Sequence, residues 1–275
     1  MSQRSLRLRQ EVDLTPAIAD EPVGPPVVVI GSGKGGVGKS SVAVLAAQAM
    51  ANDGSKVLLV DGSQNLGHLH VLLDVPIRAR LSELARGDAS PDALLVRVSE
   101  RLWLLPSDSG AEGLYALGAL ESARLHHRLC DVYDGFDAVV VDAGPGIEGV
   151  VRLATMRGTR LVVVTVPEPA ALTDAYALIK LVHLQLPTLR LDVLVNRVTS
   201  ESEGVAAFTR LAEAAEWFLG RSIGWLGAIT EAPAMLTAAR RPGGLLKAPE
   251  LDGLRREIAT LVHTEAATVE GGKAS

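Results

Sequence analysis

A chain of 275 residues, 48% of them apolar, can bury one large core. Its 32 acids against 27 lysines and arginines leave a net charge of −5, and 3% of residues are aromatic, which argues against broad nucleic-acid binding and against a base-stacking platform. The one cysteine, Cys130, excludes an internal disulfide or a paired-thiolate cluster and suits a reducing cytoplasm; no apolar run is long enough to span a membrane, and the N-terminus has arginines but no apolar signal-peptide core.

Residues 1–25 read as a flexible arm. Arg4, Arg7 and Arg9 alternate with leucines, acids follow at Glu11, Asp13, Asp20 and Glu21, and Pro22, Pro25 and Pro26 close it. Leu6–Val12 is a candidate for a short helix that forms on a partner. From 26 to 263, strand and helix patterns alternate, which predicts one α/β domain with a doubly wound, mostly parallel sheet covered on both faces. The expected strands are Val27–Ile30, Lys56–Asp61, Arg101–Pro106, Ala138–Asp142, Leu161–Val166, Leu191–Asn196 and Ser222–Ile229. The expected helices are Ser40–Asn52, Leu81–Arg86, Pro91–Val96, Gly113–Tyr133, Ile147–Met156, Ala170–Leu184, Ser202–Phe218, Ala232–Arg240 and Leu251–His263. Residues 264–275 read as a polar, disordered tail.

Between the first strand and first helix lies Gly31-Ser-Gly-Lys-Gly-Gly-Val-Gly-Lys-Ser-Ser41. Gly33, Gly38, Lys39 and Ser40 fit G-x-x-x-x-G-K-[ST], the phosphate-binding loop. Glycines at 33, 35, 36 and 38 let the backbone around Val37 curl, so that N–H groups through Ser41 point at phosphate oxygens. The helix that follows adds its positive end. Lys39 would reach the β and γ phosphates, and the Ser40 hydroxyl would hold Mg²⁺.

In such sheets the ligand sits at the carboxyl ends of the strands. Asp61 and Asp142 each end a buried strand and are placed to hold Mg²⁺ through water and to sense the γ-phosphate. Gly144 could bring its backbone near that phosphate as the moving part of a switch. Asn196 ends a later strand, where its amide could pair with the edge of adenine, and Arg197 could stack on the base. His68 and His70 are two imidazoles without a third ligand, too few for a metal site of their own.

With Lys34 after the first motif glycine, the G-K-G-G-x-G-K-S form resembles the deviant loop of the MinD/ParA family of dimerising ATPases. The resemblance implies a P-loop NTPase of the SIMIBI class that uses ATP or ADP with Mg²⁺ and pairs with a second copy when ATP is bound. It also implies that Lys34 crosses to the partner's nucleotide, as a catalytic residue beside Lys39, Asp61 and Asp142. The family has a second acid two residues after the first, then an asparagine and a further acid. Here Ser63 takes the place of that second acid, and His68 and His70 occupy the later positions. A serine hydroxyl is a poor base, so binding should survive while hydrolysis slows or is lost, unless Gln64 or Asn65 orients the water.

The segment from Val164 to Lys180, with Pro167-Glu-Pro-Ala-Ala-Leu-Thr-Asp-Ala-Tyr-Ala-Leu-Ile-Lys180, is similar to that of FlhG (also called FleN or YlxH), the branch that controls flagellar number and placement. Leu194–Val198, Ser200–Gly204, Trp217–Leu219 and Leu226–Ile229 continue the likeness, and an adenine-contacting loop is expected at Thr230–Pro233. FlhG proteins often carry an N-terminal D-Q-A-x-x-L-R motif that stimulates the partner GTPase FlhF; this arm has only Leu6-Arg7-Leu8-Arg9-Gln10. Expected partners are a second copy and an FlhF-like GTPase or a flagellar or secretion basal component, in the cytoplasm or at the inner membrane face. The stripe Leu251, Leu254, Ile258, Leu261 and Val262 suits docking on the core better than a membrane. The rivals are a DNA-partition ATPase of the ParA type, for which no dense basic run is present, and a nucleotide-dependent scaffold that does not hydrolyse.

Overall fold

The computed structural model describes residues 24–63, 67–79, 83–84, 87–107, 128, 131–144 and 160–263. The arm, the tail, Cys130, most of the expected helices Leu81–Arg86 and Gly113–Tyr133, and the expected helix Ile147–Met156 lie outside them. The described strands are β1 (Val27–Gly31), β2 (Val57–Gly62), β3 (Val96–Arg97), β4 (Leu102–Leu105), β5 (Ala138–Ala143), β6 (Arg160–Thr165), β7 (Arg190–Val198) and β8 (Gly224–Thr230). They form one sheet in the order β3-β4-β2-β5-β1-β6-β7-β8, parallel throughout except where β3 runs against β4.

Every residue of β1, β5 and β6 is buried, which is why these strands read as unbroken valine and leucine runs rather than alternating ones. One face is covered by α1 (Lys39–Asn52), through Val42, Leu45 and Met50. The other described helices, in chain order, are α2 (Leu69–Leu73), α3 (Pro91–Leu94), α4 (Pro169–Gln185), α5 (Glu201–Leu219), α6 (Pro233–Ala239), α7 (Gly244–Lys247) and α8 (Asp252–His263), and of these α7 and α8 pack behind α1. The other face is covered by α4 and α5, through Leu178, Val182, Leu211 and Ala215. The expected doubly wound architecture is present.

The expected helix Pro91–Val96 and strand Leu191–Asn196 end differently, and two short helices are additional. The helix expected over Pro91–Val96 stops at Leu94, because Val96 and Arg97 pair with Leu104 and Trp103 as an antiparallel edge, with the Arg97 guanidinium 5.7 Å from the Trp103 ring centre. Strand β7 runs on to Val198 through a bulge at Arg197, which adopts φ 56°. Short helices α2 and α7 carry too few residues for a periodic signal.

Helix α8 docks on α1. Leu254 and Ile258 pack into the core below it. The buried Arg255 donates to Gln48 Oε1 of α1 (2.8 Å) and to the Leu245 carbonyl (2.6 Å), and pairs with Asp252. Gln48 Nε2 donates in turn to the Leu246 carbonyl (3.0 Å). The stripe read from the sequence is thus used for packing as far as its described side chains go.

Candidate functional site

The site begins where β1, β2 and β5 end together. Asp142 of β5 lies level with Ile30 of β1 on one side and with Asp61 of β2 on the other. The glycine-rich loop leaves β1 at this level, so both strand-end acids stand beside it. Gly144 follows β5 and is buried.

The loop is shaped by its glycines and held from behind. Gly36 (φ 81°) and Gly38 (φ 90°) sit in the left-handed region that side chains resist. Gly38 caps α1, accepting the Val42 N–H at its carbonyl (3.0 Å), and Ser40 and Ser41 open the helix's first turn. A side chain on Gly33 would run into the Asp174 carbonyl of α4, and one on Gly38 into the Asn196 amide. At Gly35 and Gly36 the space is open. The loop therefore has a packed back and a free front.

Asn196 belongs to that back. It is fully buried, its amide donates to the Val37 carbonyl (2.8 Å), and its carbonyl accepts from the Arg197 N–H (2.9 Å). One N–H and one lone pair of the amide thus brace the loop. Arg197, turned out by the bulge, is exposed at the rim.

Lys39 lies inside the site, its ammonium paired with Asp142 and 3.4 Å from Ser40 Oγ. Asp142 is fully buried. Burial pushes its carboxyl above the ordinary carboxylate value; the charge of Lys39 and hydrogen bonds from Lys39 and Ser40 oppose the rise, and nearby Asp61 adds to it. Its second oxygen, Oδ2, is buried with no hydrogen-bond partner among the described residues. Asp61 instead ties its loop shut, accepting the N–H of Ser63 (3.0 Å) and of Leu69 (3.0 Å). Ser63 is buried, and its hydroxyl has no partner among the described residues. His68 Nε2 is 3.2 Å from Ser40 Oγ.

Among the described residues no three His, Cys, Asp or Glu side chains form a ready metal cluster. A dication here would draw on Ser40, on Asp61 and Asp142 through water, and on phosphate oxygens. The unpartnered Asp142 oxygen and the ammonium beside it fit that use.

On the outer rim Lys34 pairs with Glu168 at the start of α4 (3.4 Å), both side chains being exposed. The structure thus gathers Lys39, Ser40, Asp61 and Asp142, puts Asn196 behind the loop, and leaves Lys34 and Arg197 at the edge. The contact of His68 with Ser40, the Lys34–Glu168 pair and the Asn196 brace escape sequence reasoning. The Glu168 carboxylate between two prolines was the one visible hint.

A model of the AAA domain family matches residues 26–190. The antiactivator FleN of Pseudomonas aeruginosa is 32% identical over 203 residues, covering 74% of this chain and 72% of FleN. The chain belongs to the MinD/ParA-type ATPases, close to FlhG. The flagellum site-determining protein YlxH of Helicobacter pylori is 29% identical over 246 residues, covering 89% of this chain and 83% of YlxH. Among solved structures, the cell division ATPase MinD of Pyrococcus furiosus superposes with a TM-score of 0.68 at 23% identity, over 86% of this chain and 98% of that one. The MinD of Pyrococcus horikoshii complexed with Mg-ADP gives 0.69 at 21% identity, over 87% of this chain and 96% of that one. These two likenesses speak to the MinD/ParA fold. Among the described residues of this FlhG relative, no helix is long and apolar enough to cross a membrane.

Proposed function

We propose that this protein is an ATP-dependent switch: two copies close face to face over bound nucleotide, and the closed pair regulates the number or placement of flagella or of a related surface structure. One observation carries the reading. The loop has a rigid back, an open front at Gly35 and Gly36, and Lys34 on its rim, while Lys39 and Asp142 are paired within.

The phosphates would take the loop N–H groups from Gly33 to Ser41, and Lys39 would turn from Asp142 toward them. Mg²⁺ would be held by Ser40, with Asp61 and Asp142 acting through water, and together with Lys39 it would neutralise charge on the terminal phosphates. Lys34 would leave Glu168, an exposed pair that holds it only weakly, to reach the partner's nucleotide. Arg197 would stack on the base. A flagellar or secretion basal component, or an FlhF-like GTPase, would read the closed state.

Size-exclusion with light scattering under ADP, ATP and a methylene-bridged analogue tests this. Wild type should be a dimer only with the triphosphates, and Lys34→Ala a monomer with all three. A wild type that stays monomeric when saturated with ATP would end the proposal.

A second reading, a scaffold that binds nucleotide without turning it over, is favoured by Ser63. Its hydroxyl is buried where the family has an acid, and a positioned base is worth about 10²–10⁴ in rate. Phosphate release should be slow in wild type and rise in Ser63→Asp. Fast wild-type release that Ser63→Asp leaves unchanged would remove this reading.

A further inference from the structure

The residue that caps α2, His68, brings an imidazole beside the first turn of α1. His68 Nε2 is 3.2 Å from Ser40 Oγ, the hydroxyl that the loop motif offers to a dication. Two donors bound side by side to one six-coordinate ion at about 2.1–2.2 Å lie about 3.0–3.1 Å apart. The contact is a hydrogen bond whose length is also close to the spacing of neighbouring ligands. The backbone is held at the ring and just after it. The His68 carbonyl accepts the Leu72 N–H of α2 (3.0 Å), and the next residue, Leu69, donates its N–H to Asp61 (3.0 Å). His70 lies apart, lining a cavity of about 300 Å³ with Glu83 and Ser107.

We infer that His68 Nε2 is a direct ligand of the dication that accompanies the nucleotide, and that it raises the site's affinity for a first-row transition ion such as Co²⁺ relative to Mg²⁺. Mg²⁺ is a hard ion that prefers oxygen and keeps its water. An imidazole nitrogen suits the later first-row ions, whose affinity for such a donor rises along the series from Mn²⁺. An asparagine at this position, as the family resemblance expects, would offer oxygen and a weaker preference. The inference rests on the nucleotide-binding reading proposed above.

Pulsed EPR on the full chain loaded with Mn²⁺ and a methylene-bridged ATP analogue tests the bond directly. Wild type should show the modulation of a coordinated ¹⁴N, and wild type grown with ¹⁵N-histidine should show the ¹⁵N pattern in its place. The labelled wild type keeps the test independent of any variant's folding. In a second measurement, nucleotide affinity is compared in Co²⁺ and in Mg²⁺. The Co²⁺ to Mg²⁺ ratio should fall by about tenfold or more in His68→Asn. Wild type that binds the analogue but shows no nitrogen modulation overturns the inference and leaves the switch reading standing, and so does a ratio that His68→Asn does not move. Wild type that binds no nucleotide with any of the three ions overturns both.

Discussion

At the amino edge of the sheet, Asp192 of β7 accepts from Arg160 of the neighbouring β6, and Arg190 stands 3.3 Å from the same oxygen. At the carboxyl edge, Asp142 of β5 faces Lys39 in the first turn of α1. Both carboxylates are buried, yet they are supplied differently. The first joins two hydrogen-bonded strands whose spacing is fixed, and one acid serves two guanidinium groups. The second joins a strand to a glycine-capped helix, has one lysine, and leaves an oxygen without a partner among the described residues. A pair with surplus cations is a fastener. A pair with an idle oxygen and a single flexible cation can exchange its partner when phosphate or a metal ion arrives.

The contrast can be broken at several points. Arg160→Ala should cost about 3–5 kcal/mol in urea unfolding, because it strips the main partner from a buried acid, while nucleotide affinity of the folded fraction stays as in wild type. A small loss, or a loss of affinity without loss of stability, would mean that the amino-edge pair is not the fastener. Lys39→Ala should weaken nucleotide binding by about 100-fold, or about 2.7 kcal/mol, measured by titration with a fluorescent analogue. Unchanged affinity would show that the carboxyl-edge pair is also merely structural.

Asp142→Asn sharpens the comparison through pH. Burial raises the Asp142 carboxyl above its ordinary value of 3.8. A carboxyl raised in the folded state lends its stability below the unfolded value and loses it as pH climbs through the folded one. The variant lacks that loss, so its unfolding midpoint should gain on wild type as pH moves from acid to neutral. A gap that is flat, or that moves the other way, would refute the argument. Smallest is Ser200→Ala, which touches neither pair. Ser200 caps α5 by accepting the Glu203 N–H (3.3 Å), and its loss should cost about 1 kcal/mol by thermal melting with no change in nucleotide binding.

The sequence carried much of this contrast on one side only. Asp142 stands at the end of Val139–Val141 and Lys39 in a spaced motif, so both were legible as site residues from local pattern alone. The Arg160–Asp192 pair was not, because nothing local distinguishes a charge at a strand's start from one in a turn. The same physics separates the fold into what could and could not be read. β1, β2 and β5 show as apolar runs because both their faces are covered. β3 has two residues and exists through its pairing with β4, so no window reveals it. Within the site, the loop and acids were visible, but the Asn196 contact with Val37 spans 159 positions and the His68 contact with Ser40 spans 28. Such contacts follow from strand order, which alternation of strands and helices does not specify.

Arg255 and Gln48 bolt the last described helix to the far part of the rod whose near end follows the glycine loop. A lipid bilayer reaching for Leu254 and Ile258 would first have to prise them from α1, loosening the rod behind the very turn that carries Lys39.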